Sequence, residues 1–323
     1  MKKNLHSFFN AKVVPEYTGK KCFIYSQSDN TAFFVNNPTA EIDKFVVSHQ
    51  GVRLYIRNRT DIYHPLPVIT GYTRSIPLLK SNLQKAIRRG EVRIALTTTV
   101  LMLMFNINEL LRRLPIICIE DVTCIDTMPV IVWLMMAYPH YEPTNFDMWN
   151  ILYFVNDLCN TEEYYPNEIK EQRTYTHDSL IQYASADCLL SIYYRSKYGG
   201  MEGDMKMMET AIGYYISNPE KIIKSKQMRN PLMLNIDTQM RILPEAVDFH
   251  CYPKMLTIIQ NQLFYLEEEE IKKKIWYGSS AYNIRKPETL DKMREMEFDP
   301  AWIKIKSLLP EVREQVIPPH IKL

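Results

Sequence analysis

Three groups of residues have types and spacings that could do chemistry. In "PEAVDFHCYPKML" a thiol, an imidazole and a carboxylate (Cys251, His250 and Asp248) stand close together. Cysteine beside histidine suggests an activated nucleophile. Neighbouring side chains in a helix or strand point apart, however, so His250 is badly placed to deprotonate Cys251. A structural cysteine beside a hydrogen-bonded histidine is the expectation. The second group is cationic. "RSIPLLKSNLQKAIRRGEVR" gathers Arg74, Lys85, Arg88, Arg89 and Arg93 with Glu91 as the only opposing charge. Clustered cations of this kind would contact phosphates without sequence preference. Arg195 and Lys197, interleaved with Tyr193, Tyr194 and Tyr198, add the mixture of cations and rings that suits single-stranded DNA. The third group is Leu5, Phe8 and Phe9 in "KKNLHSFFNAK", one face of a short helical turn that offers an aliphatic plug and two rings to an apolar pocket.

Composition removes several other chemistries. There are 9 glycines in 323 residues, and the one Gly-Lys pair, Gly19-Lys20, is preceded five positions earlier by Val14 rather than glycine. A loop that cradles phosphate needs glycines at fixed offsets, so a Walker ATPase or a dinucleotide enzyme is not expected. Net charge is +2, so nucleic-acid binding has to come from a local patch rather than from bulk charge. None of the 6 cysteines forms a Cys-x-x-Cys pair, and most lie in apolar runs such as "PIICIE". They read as buried free thiols of a reducing, intracellular compartment, and His250 with Cys251 makes only a weak zinc site. No enzyme activity, cofactor or metal is expected. The leader "MKKNLHS" has no apolar core, and the most apolar window, "MPVIVWLMMAY", is shorter than the roughly 20 residues a membrane span needs.

These groups must be positioned by two kinds of element. Residues 1–14 read as a flexible tail. Residues 15–72 read as a β-rich region and linker, with "CFIYS", "AFFVN", "KFVVS" and "VRLYIR" forming a small antiparallel meander and "DIYHPLPVITGY" connecting onward. From residue 73 to 323 the period is helical. Ile76, Leu79, Leu83 and Ile87 recur at helical spacing between Ser75-x-Pro77 and Gly90. "TNFDMWNILYFVNDLC" opens with a Thr144-x-x-Asp147 capping pattern, and Asp299-Pro300 opens the last helix. "THDSLIQYASADCLLSIYYRSKYGG" reads as one long helix closed by Gly199-Gly200, and "EEEEIKKK" as a solvated helical face. The expected fold is mainly α: a multi-helix array of about nine helices with a small N-terminal antiparallel β region.

Within the array, "LLKSNLQKAIRRGEVRIALTTTVLMLMF" and "NELLRRLPIICIEDV" resemble the C-terminal helical region of the replication-associated recombination protein A / Werner-helicase-interacting protein family, a clamp-loader-related AAA+ clade. The residues that carry the second stretch are Arg112, Arg113, Leu114, Glu120, Asp121 and Val122. Arg113 and Glu120 are also spaced to pair across two turns, which is an ordinary helix-packing pattern. The likeness covers about 65 residues and fades after Tyr138, although "WYGSSAY" echoes the closing segment of the family. It implies an oligomer-forming, DNA-associated helical scaffold. The ATPase module has no counterpart, so ATP hydrolysis is not implied.

"LHSFF" likewise resembles the box by which replication and repair proteins dock on a PCNA-like sliding clamp. Lys2 stands where that box usually has glutamine, which removes side-chain hydrogen bonds and costs about 1–2 kcal/mol of binding. Together the two likenesses imply a non-catalytic replication or repair accessory protein. Its partners would be a sliding clamp through Leu5, Phe8 and Phe9, DNA through the cationic face, and further copies or subunits. An assembly scaffold that reuses a helical oligomerisation region is the alternative.

Overall fold

Four runs of aromatic and β-branched residues form strands: β1 (Cys22–Ser26), β2 (Thr31–Val35), β3 (Lys44–His49) and β4 (Val52–Arg57). The computed structural model describes residues 21–39, 43–60, 64–166, 174–225, 234–248 and 253–317. Two local antiparallel hairpins, β1–β2 and β3–β4, are present. The second turns at Gln50 and Gly51, both at positive φ, which matches the twist of its strands. The sheet is nevertheless not the expected antiparallel meander. Its order is β2-β1-β4-β3, with β1 and β4 parallel, so it is mixed. Burial explains the order. All five residues of β1 are buried and β4 is nearly as apolar, whereas β2 and β3 carry the exposed Thr31, Lys44 and Phe45. The two apolar strands take the centre and the two mixed strands take the edges.

The rest is helical, as expected from its period, with thirteen α-helices among the described residues. They are α1 (Ile76–Arg89), α2 (Val92–Phe105), α3 (Ile107–Asp121), α4 (Met128–Ala137), α5 (Asn145–Asn160), α6 (His177–Leu180), α7 (Ala186–Lys197), α8 (Glu202–Ser217), α9 (Pro244–Val247), α10 (Pro253–Gln262), α11 (Glu268–Ile275), α12 (Pro287–Met296) and α13 (Pro300–Val316). A π-helical turn, Trp276–Ser280, extends α11.

Most local signals act where they stand, although the Ser75 side chain makes no capping hydrogen bond to α1. Gly90 closes α1 in the left-handed conformation, its N–H donating to the carbonyls of Ala86 and Ile87. Thr144 and Asp147 form a reciprocal capping box on α5, and Asp299 accepts from the N–H groups of Ala301 and Trp302. The expected single helix over 176–198 is broken instead. Thr176 caps the short α6, whose bonding ends at Leu180, and α7 begins only at Ala186. The intervening "IQYAS" runs through turns.

Sheet and helices share one core. The apolar cluster runs from Phe23 in β1 to Ile317 after α13. All ten residues of α4 are buried, as its composition predicts, and α4 packs against the sheet. The Trp133 Nε1–H donates to the Phe23 carbonyl at 3.1 Å, and the ring lies 5.1 Å from Tyr25. Among the described residues no helix is long and apolar enough to cross a membrane.

A buried carboxylate fastens the sheet to α5. Asp147 accepts from the Tyr25 hydroxyl at 2.8 Å, the Gln27 amide at 2.9 Å, the Tyr141 hydroxyl at 2.6 Å and the Thr144 backbone N–H at 2.7 Å. Burial first, and the Asp147 charge second, push both tyrosine hydroxyls well above their ordinary range, so they stay protonated as donors.

Candidate functional site

The cations of the 74–93 stretch are divided by the position of α1. This helix packs against α2, α3, α5 and α9, so most of its circumference is interior. Lys85 and Arg88 fall on buried turns together with Asn82 and Gln84. A helix enclosed in this way must satisfy its polar side chains internally.

Arg88 does so through α3. Its Nε donates to Asp121 at 2.6 Å, one Nη to Glu120 at 3.0 Å, and the other Nη to the Ser280 carbonyl at 3.1 Å. Gln84 donates to the same two carboxylates, at 2.7 Å to Asp121 and 3.0 Å to Glu120, and accepts from Arg113 at 2.6 Å. Arg113 also pairs with Asp204 of α8 at 3.3 Å and with Glu120 at 3.6 Å, the pairing its spacing suggested. Burial opposes the charge on Arg88, but Asp121 and Glu120 outweigh it and raise its pKa. Glu120 is raised by burial and by the neighbouring Asp121.

The segment after the π-helical turn closes this clasp. Asn283 donates to the Asp121 carbonyl at 2.9 Å, Lys286 to the Glu120 carbonyl at 2.7 Å, and the Ile284 N–H to the Arg88 carbonyl at 3.0 Å. The guanidinium of Arg285 donates to carbonyls at the C-termini of two helices, Ile87 of α1 at 2.8 Å and Leu158 of α5 at 2.7 Å. Gly278 sits against Trp302 so closely that a Cβ there would come within 2.4 Å of the ring.

An open cavity of about 330 Å³ lies beside the clasp. Lys80, Gln84, Lys85 and Arg88 line it from α1, Arg113 and Glu120 from α3, Asp204 from α8, and Trp276 from the π-helical turn. Lys85 is only 3% exposed, and its Nζ lies 5.6 Å from the centre of the Trp276 ring.

The expected cationic DNA face is therefore not assembled. Lys85 and Arg88 are interior. Arg89 donates to the Ser279 carbonyl at 3.0 Å and lies 4.0 Å from Glu245. Arg195 is buried, donating to the carbonyls of Arg112 at 2.9 Å and Gly199 at 3.0 Å. Lys197 is paired with Glu209 at 2.6 Å. Arg74 and Arg93 are exposed, Arg74 above the Phe105 ring and Arg93 at 3.6 Å from Asp237.

Leu5, Phe8, Phe9, His250 and Cys251 lie outside the described residues. Asp248, the third member of that group, is committed elsewhere. It accepts two bonds from Arg313 of α13, at 2.7 and 2.6 Å, and one from Ser279 at 3.1 Å. Gln84, Asp204, Asn283 and Arg285 were not anticipated, since nothing local marks them and their partners lie far away in the chain. Comparison with family models, curated proteins and solved structures finds no match for this chain.

Proposed function

We propose that the chain is a non-catalytic accessory protein of DNA replication or repair, whose helical body is a scaffold and whose Leu5/Phe8/Phe9 peptide docks on a sliding clamp. The observation that carries this reading is the clasp. The two stretches that resemble the clamp-loader-related family, "QKAIRRG" and "RRLPIICIEDV", are bound to one another through Arg88, Glu120 and Asp121. The likeness thus falls on residues that act together rather than on scattered matches. The aliphatic–aromatic spacing of the N-terminal peptide supports the clamp as partner. DNA association rests on Arg74 and Arg93, since Lys85 and Arg88 are buried and Arg89 is bonded to the Ser279 carbonyl.

Calorimetry of full-length protein and of a synthetic 1–14 peptide against the sliding clamp of the same source tests the reading. Micromolar binding by both, abolished by Phe8→Ala with Phe9→Ala, is expected. Absence of binding by either would remove the clamp.

A second reading, an assembly scaffold, is favoured by one feature. Phe264 and Phe298 are 86% and 85% exposed, and Tyr265 and Ile303 are exposed beside them in sequence. Exposed rings of this size suit contact with further copies. Sedimentation of wild type and of a Phe264→Ser/Phe298→Ser variant distinguishes a scaffold, whose oligomer the variant dissolves, from a clamp-bound monomer.

A further inference from the structure

The cavity beside the clasp contains a cation that the clasp does not use. Lys80 pairs with Glu109 at 2.7 Å, Arg88 with Asp121 and Glu120, and Arg113 with Asp204 and Glu120. Among the described residues no carboxylate lies within ion-pair distance of Lys85. Its stem is buried and its amine sits over the Trp276 indole, at the wall of a space large enough for a small organic molecule. The ion pairs of Arg113, at 3.3 and 3.6 Å, are the longest among these lining cations, so its guanidinium can share an incoming anion.

We propose that this cavity is a reactive-amine site that takes a small anionic carbonyl compound, its carbonyl carbon meeting Lys85 Nζ and its anionic group meeting Arg113 and Lys80. The site does not depend on the clamp reading.

The charged groups around the amine are those such chemistry needs. Arg88 and Arg89 face it from its own helix. Glu120 and Asp121 face it from α3, and Asp204 lies across the cavity on α8. Burial first, then the positive charge of Arg88, bring its pKa down to about 7, with Arg89 adding to the fall and Asp121 and Glu120 opposing it. A desolvated lysine beside other cations is a free amine near neutrality, and a free amine is a nucleophile rather than an anion holder. The Nζ lone pair adds to the carbonyl carbon, forming a C–N bond as the C=O π pair moves to oxygen. A proton passes from nitrogen to that oxygen, and water then leaves to give the imine. Nothing is oxidised or reduced.

The test uses full-length protein and limiting pyridoxal 5′-phosphate at pH 7.5, with borohydride supplying the hydride that fixes any imine and peptide mass mapping locating it. Lys85 is expected to be labelled at least about tenfold faster than surface lysines, whose amines are almost wholly protonated at that pH. Its labelling rate should rise through pH 7 and then level off, while surface labelling keeps rising. Pyridoxal without the phosphate should label Lys85 more slowly. Labelling of Lys85 no faster than that of surface lysines would overturn the proposal, and equal rates with the two reagents would overturn its anionic part. Lys85→Met, which removes the amine without burying a permanent charge, should remove the fast label while the circular dichroism stays that of wild type and the melting temperature does not fall. Persistence of the fast label in that folded variant would also overturn it.

Discussion

Two buried polar clusters hold this molecule together, and they are built differently. Around Asp147 one carboxylate collects five donors, from the side chains of Tyr25, Gln27, Tyr141 and Thr144 and the Thr144 N–H, and no charged partner is among them. Around Arg88 the carboxylates of Glu120 and Asp121, the guanidinium groups of Arg88 and Arg113 and the Gln84 amide are interlinked, the cluster opens onto a cavity, and among the described residues no carboxylate pairs with the Lys85 amine beside it. The first is closed and satisfied, which is what a structural joint requires. The second borders open space and leaves one cation outside its ion pairs. The difference separates a residue that fastens elements from one that is available to a ligand.

The largest expected effect follows from breaking the closed cluster. Asp147→Ala leaves the Tyr25 and Tyr141 hydroxyls, the Gln27 amide and a helix-capping N–H to lose their shared acceptor at once. Unfolding free energy is expected to fall by about 4–6 kcal/mol, read from urea denaturation. A loss below about 1 kcal/mol would mean that water replaces the carboxylate and the joint is not closed.

Arg88→Met comes next. It leaves Asp121 and Glu120 buried with Gln84 and Arg113 as remaining partners, and a loss of about 3–4 kcal/mol is expected. Adding Asp121→Asn should restore part of it, because removing both partners of a buried pair costs less than removing one. A double-mutant cycle measures that coupling, and strictly additive losses would contradict the clasp.

The helices and caps were legible in the sequence because their signals are local. Period, Pro77, Gly90, Thr144-x-x-Asp147 and Asp299-Pro300 each act within one or two turns, and each does what its chemistry dictates. The sheet order was not legible. Hairpins are local, but the parallel pairing of β1 with β4 depends on which strands are covered by α4, a fact of the assembled core. The cations were misread for the same reason. Arg88 and Lys85 have the spacing of a solvated face, and only the packing of α1 among four helices makes that face interior. Arg113, Glu120 and Asp121 stand out in the sequence as a charged pattern, whereas nothing local marks Gln84 or Asp204, which bond to them. Asp147 was legible as a cap and not as the acceptor for β1, since Tyr25 and Gln27 are more than a hundred residues away.

Lys85 sharpens the comparison through pH. Its folded pKa is lowered to about 7, so in that range the unfolded chain binds more protons than the native one. Stability that depends on this group is therefore lowest below pH 7, rises as pH climbs toward the ordinary lysine value, and is fully restored above it. Lys85→Met should stabilise the protein by a few kcal/mol at pH 6, and the gain should shrink toward nothing by about pH 10. Melting temperatures of wild type and Lys85→Met across pH 6–10 measure this. A pH-independent effect of Lys85→Met would show the amine to be ordinary.

The smallest effect belongs to the cations outside both clusters. Arg74 and Arg93 are exposed, Arg74 stacked on Phe105 and Arg93 beside Asp237, and surface positions of this kind change folding stability by about 0.5 kcal/mol or less. Their value, on the replication reading, lies in phosphate contact. If both touch DNA, the dependence of log affinity on log salt should lose about two units of slope in an Arg74→Ala/Arg93→Ala variant, because each phosphate contact releases roughly one counterion. Fluorescence anisotropy over a salt series measures this directly. Arg88→Met, in contrast, should leave the slope unchanged at temperatures where it remains folded, since its guanidinium is bound to carboxylates and a carbonyl and never meets a phosphate. A slope that responds to Arg88 and not to Arg74 and Arg93 would mean that the clasp opens on DNA, and the distinction between interior and exposed cations would have to be drawn again.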